Sequence, residues 1–345
     1  MKKGITIGMD LGDKKHQVCV LNKEGKIIAE EEVAGTRAAM KDFFKRYEGA
    51  VLAMETGTHS RWVSQLAEAE GLTVLVGNAR KLRMIWKSRQ KSDTRDAIML
   101  ARIARMDPAL LCPIHHRGQR AQMDLELVRA RDLLVRERTR MVNHVRSVVK
   151  SMGERLAPSS AASFGRKAKI PEALNEALQP IMEMIAELTT KIHGYDLRIK
   201  EVSCKNYPET ERLVQVGGVG PLTALAYVLT LEEPDRFAKS RMVGAFLGLV
   251  PRLDQSGQTD KQLRITRQGD DYLRRLLVSC AHYILGPFGP DCDLRTHGQK
   301  LMQRGGKNAK KRAVVAVARK LAVLLHALWR SGATYEPNRR QKLAA

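Results

Sequence analysis

The chain has 345 residues, of which 43% are hydrophobic and 28% charged, so it is long enough for two domains with buried cores. Its net charge of +23 is uneven, because residues 236–345 hold 22 lysines and arginines against 7 acids, a net of +15. Clustered positive charge of this size favours a nucleic-acid partner. The alternative, an anionic membrane surface, would require a basic amphipathic helix with aromatic residues on its apolar face.

Other classes of protein are disfavoured by what the sequence lacks. It has no uncharged apolar run of about 18 residues, which argues against a transmembrane helix. The five cysteines are scattered without a C-x-x-C pair, so neither a zinc site nor a disulfide framework is indicated. The opening "MKKGITIGMDLG" predicts direct entry into a strand rather than a signal peptide. We therefore expect a cytoplasmic protein that acts at the nucleoid.

The first 106 residues alternate between strand and helix patterns. The alternation predicts a mixed sheet flanked by helices, in the order strand-strand-strand-helix-strand-helix-strand-helix. The predicted elements are the strand "ITIGMDLG", a hairpin of "HQVCVLN" and "KIIAEEEV", a helix capped by Thr36, the strand "AVLAMET" buried on both faces, a helix over 61–70, the strand "LTVLVGN" and a helix opened by Asp93.

Strand signals vanish between about residues 117 and 200. Apolar residues there recur at three-to-four spacing among arginines and glutamates, which predicts two long helices around a Ser/Ala/Gly-rich break at 158–169. Two arrangements are open for these helices, an antiparallel hairpin within one chain or a dimerisation element between chains. The expected assembly is at least a homodimer, and a tetramer on DNA.

The remaining sequence predicts a mostly helical third region. "RLVQVGGVGPLTALAYVL" reads as helix, glycine turn, helix, and Gly218 and Gly220 would direct backbone N–H groups at a phosphate; an ordinary helix–helix turn is an equal alternative. The segment "MVGAFLGLVPRLDQSGQTDKQLRITRQGDDYLRRLLVSCAHYIL" predicts a polar loop between two helices. The last helix begins with a basic group, Lys307, Lys310, Lys311 and Arg312. The expected domains are 1–110, 111–204 and 205–345.

Four acidic residues are predicted to share one edge of the sheet. Asp10 and Glu55 end two strands that should be adjacent, while Asp93 and Asp96 lie in the first turn of a helix that can cross the same edge. Helix capping alone is the alternative for Asp93 and Asp96. Four close carboxylates need a cation, and Mg²⁺ is the apt choice because it prefers oxygen ligands and can clamp a phosphodiester.

The sequence resembles a known family in two blocks. "GMDLGDKKHQVCV", "AMETG" and "KSDTRDAIMLARIA" resemble the DEDD block of a RuvC-like (RNase H-like) domain. "GLVPRLDQSGQTDKQLRITRQGDDYLRRLLV" resembles the second block of the same transposases. Together they resemble the IS110 family of insertion-sequence transposases, the bridge-RNA-guided recombinases. One departure is Asp270, where the family pattern suggests Asn.

The resemblance implies an α/β domain of RNase H-like fold, a helical coiled-coil middle and a mostly helical transposase domain. It implies a serine nucleophile, and the matching position is Ser256 in "LDQSGQ"; by composition alone this serine would be a turn residue. The implied partners are target and donor DNA, Mg²⁺ and a structured non-coding guide RNA. Basic residues near Ser256 that can hold the phosphate are Arg252, Lys261, Arg264, Arg267 and Arg274.

Two other functions are compatible with the residues. A RuvC-like, Mg²⁺-dependent junction nuclease would use the same carboxylates without a covalent intermediate, and Ser256 would then be structural. A non-catalytic nucleic-acid scaffold would need neither the carboxylates nor the serine.

Overall fold

A computed structural model describes residues 4–82, 92–256 and 259–339 of the chain. These residues cluster into two compact units, 1–116 and 117–345. The predicted region 111–204 therefore lies almost wholly in one unit with the predicted region 205–345. None of the helices in the described ranges is long and apolar enough to cross a membrane.

The first unit is built on a five-stranded sheet. Its strands are β1 (Thr6–Leu11), β2 (Lys15–Leu21), β3 (Ile27–Ala34), β4 (Val51–Glu55) and β5 (Thr73–Gly77). Their order is β3-β2-β1-β4-β5, with β1 antiparallel to β2 and parallel to β4. The predicted mixed sheet, with β1 central and beside β4, is confirmed.

Helices cover both faces of this sheet. They are α1 (Arg37–Lys45), α2 (Ser60–Ala69), α3 (Ala79–Leu82) and α4 (Asp93–Met106), followed by a 3-10 turn over Pro108–Leu111. Thr36 caps α1 as predicted, and its hydroxyl accepts a hydrogen bond from the Ala39 N–H. Ser92, one residue before the predicted start, caps α4. Leu52 and Ala53 of β4 are buried in separate clusters, so this strand is buried on both faces as predicted.

The second unit is mostly helical. Its helices are α5 (Gln119–Ser151), α6 (Phe164–Lys167), α7 (Asn175–Asn206), α8 (Thr210–Leu213), α9 (Pro221–Leu231), α10 (Met242–Phe246), α11 (Asp271–Leu285), α12 (Asp293–Gln303) and α13 (Ala309–Ser331). Short 3-10 turns occupy Glu172–Leu174 and Pro234–Arg236, and two strands, β6 (Pro251–Ser256) and β7 (Thr259–Ile265), form a separate sheet.

The long helices α5 and α7 pair antiparallel within the chain, the first of the two predicted arrangements. Near one end of the pair, Arg131 Nε donates to Asp196 Oδ1 at 2.6 Å. Near the other, Val145 and Met182 share a buried cluster. Pairing between chains stays a prediction.

The segment 251–265 differs from the predicted polar loop, because it forms a β-ribbon. Pro251 is paired with Ile265 and Ser256 with Thr259. The ribbon carries exposed side chains, including Leu253 at 65% exposure and Leu263 at 39%. The sequence of this segment has no apolar alternation that would predict strands. The two strands form through backbone pairing, which does not require one face of the ribbon to be buried.

A buried arginine in the α5–α7 pair provides a stability prediction. Arg138 is 8% exposed, donates one hydrogen bond to Thr189 Oγ1 at 3.2 Å, and its Nε has no partner in the described part of the chain. Burying the charged guanidinium of Arg138 removes it from water, which carries a desolvation penalty that an apolar side chain avoids. Arg138→Met should therefore raise the free energy of unfolding by about 1–3 kcal/mol. Urea denaturation measures it. Exposed Arg140→Met is the control, and a destabilised Arg138→Met protein would contradict the prediction.

Candidate active site

Asp10 and Glu55 lie at the same edge and on the same face of the first unit's sheet. The parallel register pairs Met9 with Met54, so Asp10 and Glu55 occupy the next positions of adjacent strands. Met9 and Met54 are buried in the cluster that contains α1 and α2 residues. Because side chains alternate along a strand, Asp10 and Glu55 belong to the opposite face, the one covered by α4.

Gly8 fixes how α4 crosses that face. A Cβ at Gly8 would collide with the backbone of Ala97 and Ala101, so only glycine allows this close approach. At the other end of α4, Arg105 Nη2 donates to the Lys23 carbonyl in the β2–β3 turn. That turn lies at the amino end of β1, since Thr6 pairs with Leu21. The first turn of α4 therefore lies at the carboxyl end of β1.

The first turn of α4 carries the other two predicted acids. Asp93 precedes Ala97 by four residues and Asp96 precedes Leu100 by four, and both Ala97 and Leu100 are buried beneath the helix. Residues four apart lie on one side of a helix, so the acids extend this buried stripe toward the edge with Asp10 and Glu55. Asp96 is half-buried and Asp93 is exposed. The fold brings all four predicted positions to one edge.

The chemistry of this edge suits a hard cation, although the side chains do not form a ready-made ligand group. Carboxylate oxygens are the ligands that Mg²⁺ prefers. Within residues 4–82, 92–256 and 259–339, however, no three His, Cys, Asp or Glu side chains are grouped closely enough to hold a metal ion. Holding an ion at this edge would require the carboxylate side chains to move closer together.

Ser256 lies at the outer end of the ribbon in the second unit. It is the last residue of β6, and its pairing with Thr259 leaves residues 257 and 258 as the connection between the strands. Arg252, Arg264 and Arg267 are exposed along the ribbon and just beyond it. Lys261 is paired with Asp254 in the register, and the side chains of Ser256 and Lys261 lie outside the described part of the chain. The register pairs Pro251 with Ile265, so Arg252 and Arg264 lie toward the base of the ribbon and Arg267 beyond it, away from the strand end that carries Ser256.

Arg274 is an exception among the predicted phosphate contacts. Its side chain is 9% exposed, and its guanidinium donates to the Leu247 and Gln268 carbonyls and to Asp271. A nucleic-acid contact would require these bonds to break, so the prediction is corrected: Arg274 is a buried bracing residue. The neighbouring Asp270, where the family pattern suggests Asn, caps α11 by accepting from the Leu273 N–H at 2.8 Å, a role that either residue can perform.

The other predicted nucleic-acid contacts lie on exposed backbone or exposed side chains. Gly218 has a positive φ of 89°, and a Cβ there would meet the Tyr283 ring at 2.8 Å, so packing alone explains this glycine. Gly220 is exposed and precedes the first residue of α9. The basic group at the start of α13, Lys307, Lys310, Lys311 and Arg312, is exposed. Phosphate binding at these positions stays a prediction.

A histidine cluster near the carboxylate edge was not predicted. The fully buried His16 ring lies 5.8 Å from the His59 ring and 6.3 Å from Trp62, between ring centroids. Trp62 Nε1 donates to His59 Nδ1 at 3.1 Å, so neutral His59 carries its proton on Nε2, which is 3.9 Å from Asp13 Oδ1. The sequence does contain a signal for the burial of His16. This residue lies two and four positions before the buried Val18 and Val20 of β2, and side chains at that spacing lie on the same face of a strand.

Burial of His16 predicts a stability that falls in acid. Desolvation, with a smaller contribution from His59, lowers the pKa of His16 below the ordinary 6.5. Below about pH 6.5 the unfolded chain binds a proton that the folded chain resists, so the free energy of unfolding should fall from pH 7 to pH 5. His16→Phe should reduce this fall. Burial also lowers the pKa of His326, so the free energy of unfolding of His16→Phe should still depend in part on pH.

Urea unfolding at the two pH values measures this effect. The exposed His144→Phe substitution is the control and should leave the difference between pH 7 and pH 5 unchanged. An equal difference in wild type and His16→Phe would contradict the assignment to His16.

Two family models match this chain, one over the residues of the acidic edge and the other over the residues of the β6–β7 ribbon. The transposase model DEDD_Tnp_IS110 matches residues 7–153, which include Asp10, Glu55, Asp93 and Asp96. The model described as the transposase IS116/IS110/IS902 family matches residues 210–291, which include Ser256.

Curated relatives agree over most of the chain. The transposase for insertion sequence element IS1328 from Yersinia enterocolitica is 30% identical over 80% of this chain and 82% of its own length. A "Probable family 20 transposase" of Pseudomonas aeruginosa is 28% identical over 96% of this chain and 98% of its own length. The transposase for IS1111A of Coxiella burnetii is 28% identical over 97% and 92%. The chain therefore belongs to the IS110 family of insertion-sequence transposases, enzymes that act on DNA.

Proposed function

We propose that this transposase cuts and rejoins DNA through a covalent phosphoserine at Ser256, in a composite site completed by the acids of the first unit. The observation that carries the proposal is the presentation of Ser256 at the end of an exposed ribbon with Arg252 and Arg264 on its strands. A nucleophile at the far end of a ribbon can reach a DNA phosphate, and cationic side chains nearer the base, Arg252 and Arg264, can bind the DNA backbone beside that phosphate through charge-assisted hydrogen bonds.

The proposed step is a transesterification. The Ser256 hydroxyl oxygen bonds to phosphorus as the bond to one ester oxygen of the DNA breaks. The hydroxyl proton is removed, and the departing oxygen gains a proton to become a free DNA hydroxyl. The phosphodiester is thereby exchanged for a protein–DNA phosphodiester of similar energy. Attack by another DNA hydroxyl reverses the step, so rejoining needs no ATP.

The acidic edge supplies the second half of the proposed site. We infer an RNase H-like fold for the first unit, with Asp10, Glu55, Asp93 and Asp96 as the residues that would hold Mg²⁺. When bound, the ion would supply positive charge to the scissile phosphate.

The proposed partners are target and donor DNA together with a structured guide RNA. The exposed basic residues of the ribbon and of the α13 start support a polyanionic ligand. We also propose at least a homodimer, and a tetramer on DNA, because coordinated strand exchange needs several cuts and each chain has one Ser256. Size measurement of the DNA-bound protein tests this, and a strictly monomeric complex would contradict it.

The second candidate function is a Mg²⁺-dependent junction nuclease. It is favoured by one observation, the shared edge of the four acids, which does not require Ser256. The two functions differ in their products, since hydrolysis leaves no protein attached to the DNA.

The decisive experiment is a search for the covalent product. Protein is incubated with end-labelled DNA carrying the element's junction, the transcribed flanking non-coding RNA and Mg²⁺, and is then separated on a denaturing gel. A slow, protease-sensitive band is expected, and mass spectrometry should place the nucleotide on Ser256. Cleaved DNA without this band would favour the nuclease, and an adduct on another residue would refute the assignment of Ser256.

A further inference from the structure

We infer that Arg274, Gly248 and Gly269 form a clamp at the base of the β6–β7 ribbon, and that Arg274 acts through this clamp as a positioning residue for Ser256. The inference rests on the proposed nucleophilic role of Ser256. It assigns to Arg274 a function in strand transfer without contact between this side chain and DNA.

Arg274 joins the two chain segments that lead into and out of the ribbon. Its Nη1 donates to the Leu247 carbonyl at 3.0 Å and to the Gln268 carbonyl at 2.9 Å. Leu247 lies four residues before β6 and Gln268 three residues after β7. Its Nη2 donates to Asp271 Oδ1 at 2.8 Å. One planar guanidinium thus ties both ends of the ribbon to the start of α11.

The two glycines let those segments touch backbone to backbone. Gly248 has a φ of 66° and Gly269 a φ of 78°, a region that side chains disfavour. A Cβ on Gly248 would collide with the backbone of Gln268, and a Cβ on Gly269 would collide with the Phe246 carbonyl. The approach is further held by the Thr266 N–H, which donates to the Val250 carbonyl at 2.9 Å, and by the Arg267 N–H, which donates to the Gly248 carbonyl at 3.1 Å.

The length of the ribbon makes its base important for the position of its far end. From Pro251 to Ser256 the strand extends about 17 Å, at roughly 3.3 Å for each residue. A tilt of about 10° at the base would therefore move Ser256 by about 3 Å. A displacement of about 1 Å is enough to slow a positioned reaction by about 10²-fold. A flexible ribbon base would leave Ser256 chemically intact but displaced from the position needed for attack.

The contacts of Arg274 argue against the competing role as a phosphate ligand. Its side chain is 9% exposed, whereas Arg275, the next residue, is 47% exposed. Arg274 donates to two backbone carbonyls that would be left unpaired, at a cost, if it turned toward DNA. The two roles predict different measurements, because a phosphate ligand contributes to affinity and to its salt dependence.

The test compares Arg274→Met and Arg274→Lys with wild type in the full chain. We expect formation of the Ser256–DNA adduct to slow by about 10²-fold in Arg274→Met and by less in Arg274→Lys, which keeps a cation that can reach one carbonyl. The affinity for the same DNA and its salt slope should stay unchanged. Amide hydrogen exchange at Thr266 and Arg267 should become faster, while exchange within α13 should not.

Arg295→Met is the matched control. Arg295 is 16% exposed and its Nη1 also donates to two backbone carbonyls, those of Ile284 and Gly286, at 2.7 Å each. It should lower stability comparably while leaving the adduct rate near that of wild type. If Arg274→Met does not fold, Arg274→Lys and its exchange at Thr266 decide the matter.

The outcomes separate this inference from the proposed function. A wild-type protein that forms no adduct would refute the nucleophilic role of Ser256 and the clamp with it. A wild-type adduct that forms equally fast in both Arg274 variants would refute the clamp alone. Weakened DNA affinity with a reduced salt slope would instead assign Arg274 to phosphate binding.

Discussion

Replacing Ser256 with alanine should abolish both the covalent DNA adduct and recombination, while DNA and RNA binding persist. The change removes one oxygen from the last residue of β6. If that oxygen is the nucleophile, adduct formation should fall by at least about 10³-fold. Labelled DNA on a denaturing gel measures the adduct, and a junction-specific amplification measures recombination.

Controls for this substitution separate the hydroxyl from the surrounding strand. Ser279→Ala removes another exposed hydroxyl, one that donates to the Arg275 carbonyl on α11, and should leave recombination unchanged. Ser256→Cys keeps a nucleophile of different chemistry at the same position. Recombination by Ser256→Ala at the wild-type rate would contradict the nucleophile assignment, and the junction nuclease would become the leading function.

The first unit was predictable because its sequence signals agree with one another. The short strand "ITIGMDLG", the Thr36 cap and the apolar run of β4 each specify a local structure that the sheet then uses. The shared edge of Asp10 and Glu55 followed from strand order alone. The closeness of α4 was harder to predict, because the signal is one glycine, Gly8, whose importance depends on which helix crosses it.

The ribbon and its base could not be predicted from sequence patterns. β6 and β7 have exposed side chains and carry no periodic apolar signal, so their pairing depends on backbone hydrogen bonds. Arg274 and Arg275 are adjacent and chemically identical, yet one is buried among carbonyls and the other is half-exposed. A sequence shows the charge of both but does not show which carbonyls lie within reach. Tertiary structure decides which arginine can meet a phosphate.

Asp10→Asn should abolish strand cleavage while leaving nucleic-acid binding nearly intact. Asparagine keeps the size of the side chain at the end of β1 and removes the charge that would hold Mg²⁺. The loss of one carboxylate from a four-acid site should slow cleavage by at least about 10²-fold. Glu55→Gln should act in the same way, since the two residues occupy neighbouring positions on parallel strands. Adduct formation at fixed DNA occupancy measures the effect.

A second readout distinguishes metal binding from other roles of the acid. An ion that binds only the folded chain raises the free energy of unfolding by RT ln(1 + [Mg²⁺]/Kd), so Mg²⁺ should stabilise wild type and, because its Kd is weaker there, should stabilise Asp10→Asn less. Asp42→Asn, an exposed change on α1, should respond to Mg²⁺ as wild type does. Equal stabilisation of all three proteins by Mg²⁺ would show that Asp10 does not bind the ion. Undiminished cleavage by both Asp10→Asn and Glu55→Gln would exclude the acidic edge from the chemistry, and the second unit would then have to supply every group that acts on the phosphate.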